Sequence, residues 1–150
     1  MRRGSCLIIN QVFEHDSEIR RNGTECDVIA LKRLWSKLGC TNIVVKRDLT
    51  REKIMETLRD FNESLQISKP DYFVIVILSH GRTNIRTGLH EILDVNMNGV
   101  AIKDIKAVFL NGIKCPSMVG KPKLFIINAC RQTKYTSSDQ SRYVLYYIVR

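Results

Sequence analysis

The apolar run Tyr72–Leu78 (YFVIVIL) limits the folds that are open to this chain. It is the most hydrophobic stretch of the sequence, and it is too short for a helix of typical length. Ser68-Lys69-Pro70 interrupts the helical pattern directly before it. A strand that is apolar on both faces belongs inside a sheet that is covered on both sides, so we expect a central strand here.

Strand and helix patterns alternate along the rest of the chain. Further short apolar runs that indicate strands are Cys6–Gln11, Asn42–Val45, Leu124–Ile127 and Tyr143–Val149. Apolar residues spaced three and four apart predict helices over Thr24–Leu38, after the N-cap candidate Thr50, and around Ile102–Phe109. This alternation predicts an α/β fold, a mostly parallel sheet with helices on both faces.

Size and charge restrict the class of protein. A chain of 150 residues, 44% of them hydrophobic, is typical of one domain with a core. It contains no apolar run of about 18 residues or more and no secretory signal, so we expect a soluble cytoplasmic protein without membrane contact. The net charge of +9 comes from basic residues spread along the helices, which favours a solvated surface over a nucleic-acid site.

The cysteines indicate neither disulfides nor a metal site. They form no C-x-x-C pair, and their odd number does not suggest a disulfide framework, which fits a reducing compartment. No histidine stands at a zinc-ligand spacing from a cysteine. We therefore predict no metal and no other cofactor. Four of the cysteines are interpreted as small packing residues: Cys6, Cys26, Cys40 and Cys115. His15 and His90 are interpreted as solvated surface residues.

Residues able to do chemistry follow three of the predicted strands. Arg21 lies in the loop after the first strand, His80-Gly81 follows the central strand, and Cys130 follows the next long one. In a parallel sheet the carboxyl ends of the strands form one binding edge. A thiol becomes a strong nucleophile when a nearby histidine takes its proton. The sequence therefore predicts His80 and Cys130 as a catalytic pair, with Arg21 at the same edge.

Several segments around these residues match one family in order. They are Arg21-Asn22-Gly23-Thr24 (R-x-G-T), Leu78-Ser79-His80-Gly81 (L-S-H-G), Gly120–Ile127 (G-K-P-K-L-F-I-I) and Asn128-Ala129-Cys130-Arg131-Gln132 (Q-A-C-R-G in the family). Together they resemble the caspase family over nearly all of the chain, with the histidine about 50 residues before the cysteine.

The resemblance implies a fold, an activity and residue roles. The fold is a three-layer caspase-like α/β sandwich, and the activity is that of a cysteine endopeptidase cleaving after aspartate, in apoptosis or related signalling. Cys130 is the implied nucleophile and His80 the general acid/base. The backbone N–H groups of Cys130 and Gly81 form the implied oxyanion hole. Arg21 and Asn128 are the implied ligands of the substrate aspartate.

The resemblance also implies an organisation and partners. Residues 1–138 correspond to a large-subunit-like catalytic domain, and 139–150 to the linker end and first strand of a small-subunit-like segment. The partners are peptide substrates with an acidic P1 residue, a small subunit, and a second caspase chain in a homodimer or heterodimer. The protein would then be a zymogen, with Asp139 as a candidate processing site. Leu89–Asn98 is interpreted as an insertion that lengthens a surface hairpin.

Three departures from the family keep an alternative open. Asn128 stands in place of glutamine and Gln132 in place of glycine, and residues 133–142 are a short substitute for the family's intersubunit linker. The alternative is a catalytically weak homologue that regulates a partner caspase by heterodimerisation. A doubly wound nucleotide-binding domain is disfavoured, because residues 10–13 after the first strand contain no glycine-rich turn.

Overall fold

A computed structural model describes residues 2–110 and 112–130, together with the backbone of residues 144–149. In these ranges the strands are β1 (Gly4–Asn10), β2 (Cys40–Arg47), β3 (Tyr72–Leu78), β4 (Gly81–Thr83), β5 (His90–Leu93), β6 (Gly99–Ala101), β7 (Lys123–Asn128) and β8 (Val144–Val149). The helices are α1 (Thr24–Lys37), α2 (Arg51–Ser68) and α3 (Ile102–Leu110), with a 3₁₀ turn at Pro116–Met118. The sequence expectations for residues 131–143, including Gln132 and Asp139, lie outside the described residues.

The main sheet has the strand order β2-β1-β3-β7-β8 and is parallel except for the last pair. The apolar run of β3 is the central strand, as predicted. Leu78 is in register with Asn10 of β1 on one side and Asn128 of β7 on the other. The carboxyl ends of these three strands are therefore level, and the loops that follow them leave from one edge.

Helices cover both faces of the sheet. Alternate residues of β3 point to opposite sides: Phe73 and Ile75 pack with residues of α2 and α3, whereas Val74 and Val76 pack with Trp35 of α1. On the α2 side, aromatic rings meet at centroid distances of 5.1 to 6.3 Å. The predicted α/β arrangement, with helices on both faces, is confirmed.

The ends of the helices follow local sequence signals. Thr50 is the N-cap of α2, and its hydroxyl accepts a hydrogen bond from the Lys53 N–H at 3.4 Å. After α1, Gly39 has φ +96°, and a side chain there would overlap the carbonyl oxygen of Arg2. Only glycine fits this turn, which returns the chain to the sheet.

The segment after β3 forms a second sheet that the sequence did not predict in full. Strands β4, β5 and β6 pair antiparallel. Leu89–Asn98 belongs to an antiparallel hairpin, as expected, but the hairpin is not confined to the surface, because Ile92, Leu93 and Asp94 are buried. The N–H of Leu93 donates to the carbonyl of His80 at 2.9 Å, so this small sheet supports the histidine.

Two interpretations of single residues need correction. Cys26 is exposed on the first turn of α1, because the buried stripe of that helix passes through Thr24 and Trp35 instead. His90 is half-buried in β5, with Nδ1 3.0 Å from the Thr83 hydroxyl, because the residue joins a strand pair instead of a loop. His15 is exposed, as expected.

Candidate active site

The backbone around His80 is fixed by hydrogen bonds to two neighbouring segments. The N–H of Ser79 donates to the carbonyl of Asn128 at 3.1 Å, and its hydroxyl donates to the carbonyl of Leu93 at 2.7 Å. These bonds join the end of β3 to β7 on one side and to β5 on the other. The histidine therefore leaves the sheet from a rigid position.

The imidazole of His80 is oriented by two contacts with the loop after β1. Its Nε2 lies 2.6 Å from the carbonyl oxygen of Ile19, and its ring centroid lies 4.8 Å from that of Phe13. A carbonyl oxygen only accepts hydrogen bonds, so Nε2 carries the proton. In the neutral ring the lone pair is then on Nδ1, which is the atom able to take a proton.

Gly81 lies against the loop that carries Cys130. A Cβ at this position would stand 2.6 Å from the carbonyl oxygen of Cys130, 2.8 Å from the Cβ of Ala129 and 2.9 Å from the carbonyl oxygen of Glu91. Real Cβ atoms do not approach backbone this closely, so the two loops can meet only because residue 81 is glycine. The structure thus brings together the His80 and Cys130 loops, as predicted.

Three other cysteines are poor nucleophiles. Burial raises the pKa of the Cys6, Cys40 and Cys115 thiols above the ordinary value, and all three lie in the core. A raised pKa lowers the thiolate fraction at neutral pH, and the thiolate is the reactive form. Cys130, in contrast, is half-buried at the sheet edge beside the histidine loop.

Arg21 is held at the end of β1 by several hydrogen bonds. Its Nη1 donates to the carbonyl of Gln11 at 3.1 Å, the hydroxyl of Thr24 at 3.3 Å and Oδ1 of Asn10 at 3.4 Å. The same hydroxyl of Thr24 donates to Oδ1 of Asn10 at 2.6 Å. Gly23, which lies between Arg21 and Thr24 in the chain, is the N-cap residue of α1 and has φ +79°. The R-x-G-T residues thus form one turn that fixes the guanidinium group.

Asn128 ends β7 and shares this edge. Its place in the strand puts its side chain on the same face of β7 as Leu124 and Ile126, which pack on the α1 side of the sheet. Its backbone pairs with Leu78 on one side and Val144 on the other. Because Asn10, a partner of Arg21, and Asn128 flank Leu78, the arginine and the asparagine belong to one edge of the sheet.

Sequence reasoning missed three residues of this region. Ile19 contributes only its carbonyl oxygen, which no side-chain pattern can signal. Phe13 packs on the imidazole from a left-handed backbone, with φ 59°. Asp48, in the turn after β2, accepts hydrogen bonds from the N–H groups of Val12 and Phe13. Of these three residues, only Asp48 could have been found from the sequence, as an acidic residue at the end of a neighbouring parallel strand.

The described residues contain neither a metal-ligand cluster nor a membrane-spanning helix. None of their groups of three or more histidine, cysteine, aspartate or glutamate residues could hold a metal ion. Among the described helices, none has the length and apolar character needed to cross a membrane.

Known proteins with a similar sequence or fold place this chain in a family. The chain matches the family model of the caspase domain over residues 3–144. It belongs to the caspase family. Caspase-3 of Mus musculus is 40% identical over 134 residues, which cover 87% of this chain and 44% of that protein. Caspase-8 of Mus musculus is 34% identical, with 89% and 28% covered.

Other relatives extend the comparison. Cell death protein 3 of Caenorhabditis remanei is 37% identical over 130 residues, covering 86% of this chain and 23% of that protein. The chain therefore spans less than half the length of these caspases. The crystal structure of the Drosophila initiator caspase Dronc matches with a TM-score of 0.74 at 23% identity, covering 90% of this chain and 57% of that one. This match confirms the predicted caspase-like fold.

Proposed function

We propose that the protein is a cysteine endopeptidase that cleaves substrates after aspartate, in apoptosis or related signalling. The observation that carries the proposal is the packing of Gly81 against the Ala129 side chain and the Cys130 carbonyl, which joins the loops of His80 and Cys130. The carbonyl of Ile19 on Nε2 of His80 adds the orientation that a general base needs. Membership of the caspase family supports the same chemistry.

In the proposed reaction, Nδ1 of His80 takes the proton of the Cys130 thiol, and the thiolate attacks the scissile carbonyl. The Ile19 carbonyl stabilises the imidazolium that forms, because a charged donor makes the stronger hydrogen bond. The N–H groups of Cys130 and Gly81 stabilise the oxyanion. The imidazolium then protonates the leaving amine, and a water molecule that His80 deprotonates hydrolyses the thioester.

The proposed specificity depends on Arg21 and Asn128. A guanidinium group binds a carboxylate with two parallel hydrogen bonds, which suits an acidic P1 side chain. The Asn128 amide offers one further donor, on a side chain one methylene shorter than glutamine. Gln11, Asn10 and Thr24 fix the arginine before substrate arrives, so little ordering is left for the binding step.

The proposed partners are a small subunit and a second caspase chain. The chain spans 44% of a caspase-3 relative, and β8 ends the sheet, with β7 as its one neighbour among the described strands. An edge strand of this kind is a template for pairing. In this proposal the protein is a cytoplasmic zymogen, and Asp139, outside the described residues, is a processing site.

The alternative, a catalytically weak homologue that regulates a partner caspase, is favoured by one observation. The backbone of Asn128 is paired on both sides, with Leu78 and with Val144. This backbone therefore cannot move toward the substrate to compensate for a side chain that is one methylene shorter than glutamine. The P1 carboxylate would then lose one hydrogen-bond donor. An intact pair of His80 and Cys130 loops favours the peptidase.

Labelling with an electrophile distinguishes these proposals. We expect an aspartyl peptide electrophile to modify Cys130 in the full-length protein, as mapped by mass spectrometry, and the Cys130→Ser variant to remain unlabelled. Labelling mainly at Cys26 or at a buried cysteine would contradict the peptidase proposal. Labelling at Cys130 without turnover of a matched peptide substrate would favour the regulatory homologue.

A further inference from the structure

The buried segment after β1 lies between the catalytic edge and the turn after β2. We call residues 11–13 the β1 exit. Gln11, Val12 and Phe13 are each at most 1% exposed, and Phe13 has a left-handed backbone with φ 59°. A bulky residue seldom adopts this conformation, so the surrounding structure must hold it there.

Asp48 supplies the hydrogen bonds that hold the β1 exit. Its Oδ1 accepts from the N–H of Val12 at 2.6 Å and from the N–H of Phe13 at 2.9 Å. Its own N–H donates to the carbonyl of Asn10 at 3.1 Å. The Asp48 side chain is 15% exposed, so water competes weakly for these donors. One carboxylate oxygen therefore satisfies two successive buried donors of the exit.

The opposite side of the β1 exit contacts the residues of the proposed site. The ring of Phe13 packs on His80 at 4.8 Å between centroids. The carbonyl of Val12 accepts from the Arg21 N–H at 2.8 Å, and the carbonyl of Gln11 accepts from its guanidinium group at 3.1 Å. The residues whose N–H groups bind Asp48 are thus the same residues that orient the histidine and the arginine.

Neighbouring contacts fix the turn that carries Asp48. The Gln11 side chain donates to the carbonyl of Leu49 at 2.6 Å and accepts from its N–H at 2.8 Å. Nε of Arg47 lies 3.6 Å from Oδ2 of Asp48, and the same guanidinium group pairs with Glu14 at 2.8 Å and Glu25 at 2.9 Å. The carboxylate is therefore pre-oriented toward the exit.

We propose that Asp48 is a positioning residue for the endopeptidase site, and this inference rests on the proposed function. Through the β1 exit it sets the orientation of His80 and the placement of Arg21, without touching substrate. An ionised acceptor makes hydrogen bonds about twice as strong as a neutral one. Asparagine at this position would keep the shape and weaken the bonds, and alanine would leave two buried N–H groups unsatisfied.

The test compares Asp48→Asn and Asp48→Ala with Asp71→Ala in the full-length protein. Asp71 is a matched control, because its carboxylate also accepts a backbone N–H, that of Arg3 at 2.7 Å, next to the start of β3 at the opposite edge of the sheet. The measured quantities are the rate constants of Cys130 labelling by an aspartyl and by an alanyl peptide electrophile, well below the unfolding temperature of each variant.

We expect Asp48→Ala to lower the rate constant of Cys130 labelling by the aspartyl electrophile about 100-fold, because a displacement of about 1 Å in an active site can have an effect of this size. The aspartyl-to-alanyl ratio should fall with it, and Asp48→Asn should lie between the native protein and the alanine variant. In Asp71→Ala the ratio should stay unchanged even if the unfolding temperature drops. A merely structural role for Asp48 would lower stability without changing this ratio.

The outcomes separate the two proposals. If the native protein is not labelled at Cys130, the proposed function fails, and the role of Asp48 fails with it. If the native protein is labelled and Asp48→Asn keeps both the rate and the ratio, only the positioning role is overturned. The asparagine variant decides the question if the alanine variant does not fold, because it is nearly isosteric.

Discussion

At the scale of single residues, the site depends on small side chains and main-chain atoms as much as on the reactive groups. Gly81 permits the approach of two loops, and Ile19 orients the imidazole through its carbonyl oxygen. Neither effect belongs to a side chain that does chemistry. The proposed catalytic residues Cys130 and His80 were therefore easier to find in the sequence than the atoms that orient the histidine.

We predict that Arg21 and Asn128 set P1 selectivity. Arg21→Ala should nearly abolish cleavage after aspartate. Asn128→Gln should raise kcat/KM on aspartyl peptides by about tenfold to a hundredfold, because a hydrogen bond to a charged group contributes about 1–3 kcal/mol. The measurement is kcat/KM on matched peptides with Asp, Asn or Ala at P1. Equal rates on the three peptides would contradict the role of Arg21.

We predict that Gly81→Ala separates the loops of His80 and Cys130. The added methyl group would overlap the Cys130 carbonyl and the Ala129 side chain, so kcat/KM should fall by about 100-fold or more. Gly112→Ala is the control, because its new Cβ would meet Val119 at an ordinary 3.5 Å. Peptidase assays and thermal unfolding of both variants check the prediction, and full activity in Gly81→Ala would refute it.

At the scale of elements, the small sheet β4-β5-β6 connects the histidine loop with α2. Asp94, between β5 and β6, is fully buried. Its carboxylate accepts from the N–H groups of Asn96 and Asn98 at 2.8 and 2.7 Å, and from the first residue of α2, Arg51, at 2.8 Å. One residue thus shapes the hairpin turn and caps a helix, which local pattern alone did not reveal.

We predict that Asp94→Ala destabilises the fold by about 2–4 kcal/mol. Each buried donor left without an acceptor costs about 1–3 kcal/mol, and some of the freed N–H groups reach water instead. The exposed Asp104→Ala, in the first turn of α3, should change stability by less than about 0.5 kcal/mol. Urea denaturation measures both. Equal stability of the two variants would show that Asp94 is not a structural acceptor.

At the scale of the whole molecule, ionisable groups in the core make stability depend on pH. Burial raises the pKa of the Cys6 thiol far above the ordinary value of 9.0. In the unfolded chain this thiol ionises near its ordinary pKa, while in the folded protein it stays protonated. The unfolded state therefore binds fewer protons above about pH 9, so stability is complete below that pH and falls above it.

We predict a loss of up to about 1.4 kcal/mol per pH unit from Cys6 above about pH 9. Denaturation of the protein at several pH values between about 7 and 10.5 measures the slope. Cys6→Ala should reduce this slope, whereas Cys26→Ala should leave it unchanged, because Cys26 is exposed. Identical slopes in all three proteins would contradict the assignment.

We predict that the isolated 150-residue chain is inactive and self-associates. Among the described strands the sheet ends at β8, and the sequence of that strand (VLYYIV) has no charge or proline to discourage pairing with another chain. Sedimentation velocity over a range of concentrations should show species larger than a monomer. A monomer with full peptidase activity at high concentration would refute both parts of the prediction.

Local sequence pattern was enough to predict the element order, the central strand and the positions of the proposed catalytic pair. Apolar periodicity reports burial, and motif spacing places reactive residues at strand ends, so β3, α2 and His80–Cys130 could be predicted from local pattern. The tertiary structure alone decided the buried position of Leu93 and Asp94, the exposure of Cys26, and the contacts of Ile19 and Asp48 with the site. These depend on which segments meet across the sheet edge, and backbone atoms that meet there leave no trace in composition or periodicity.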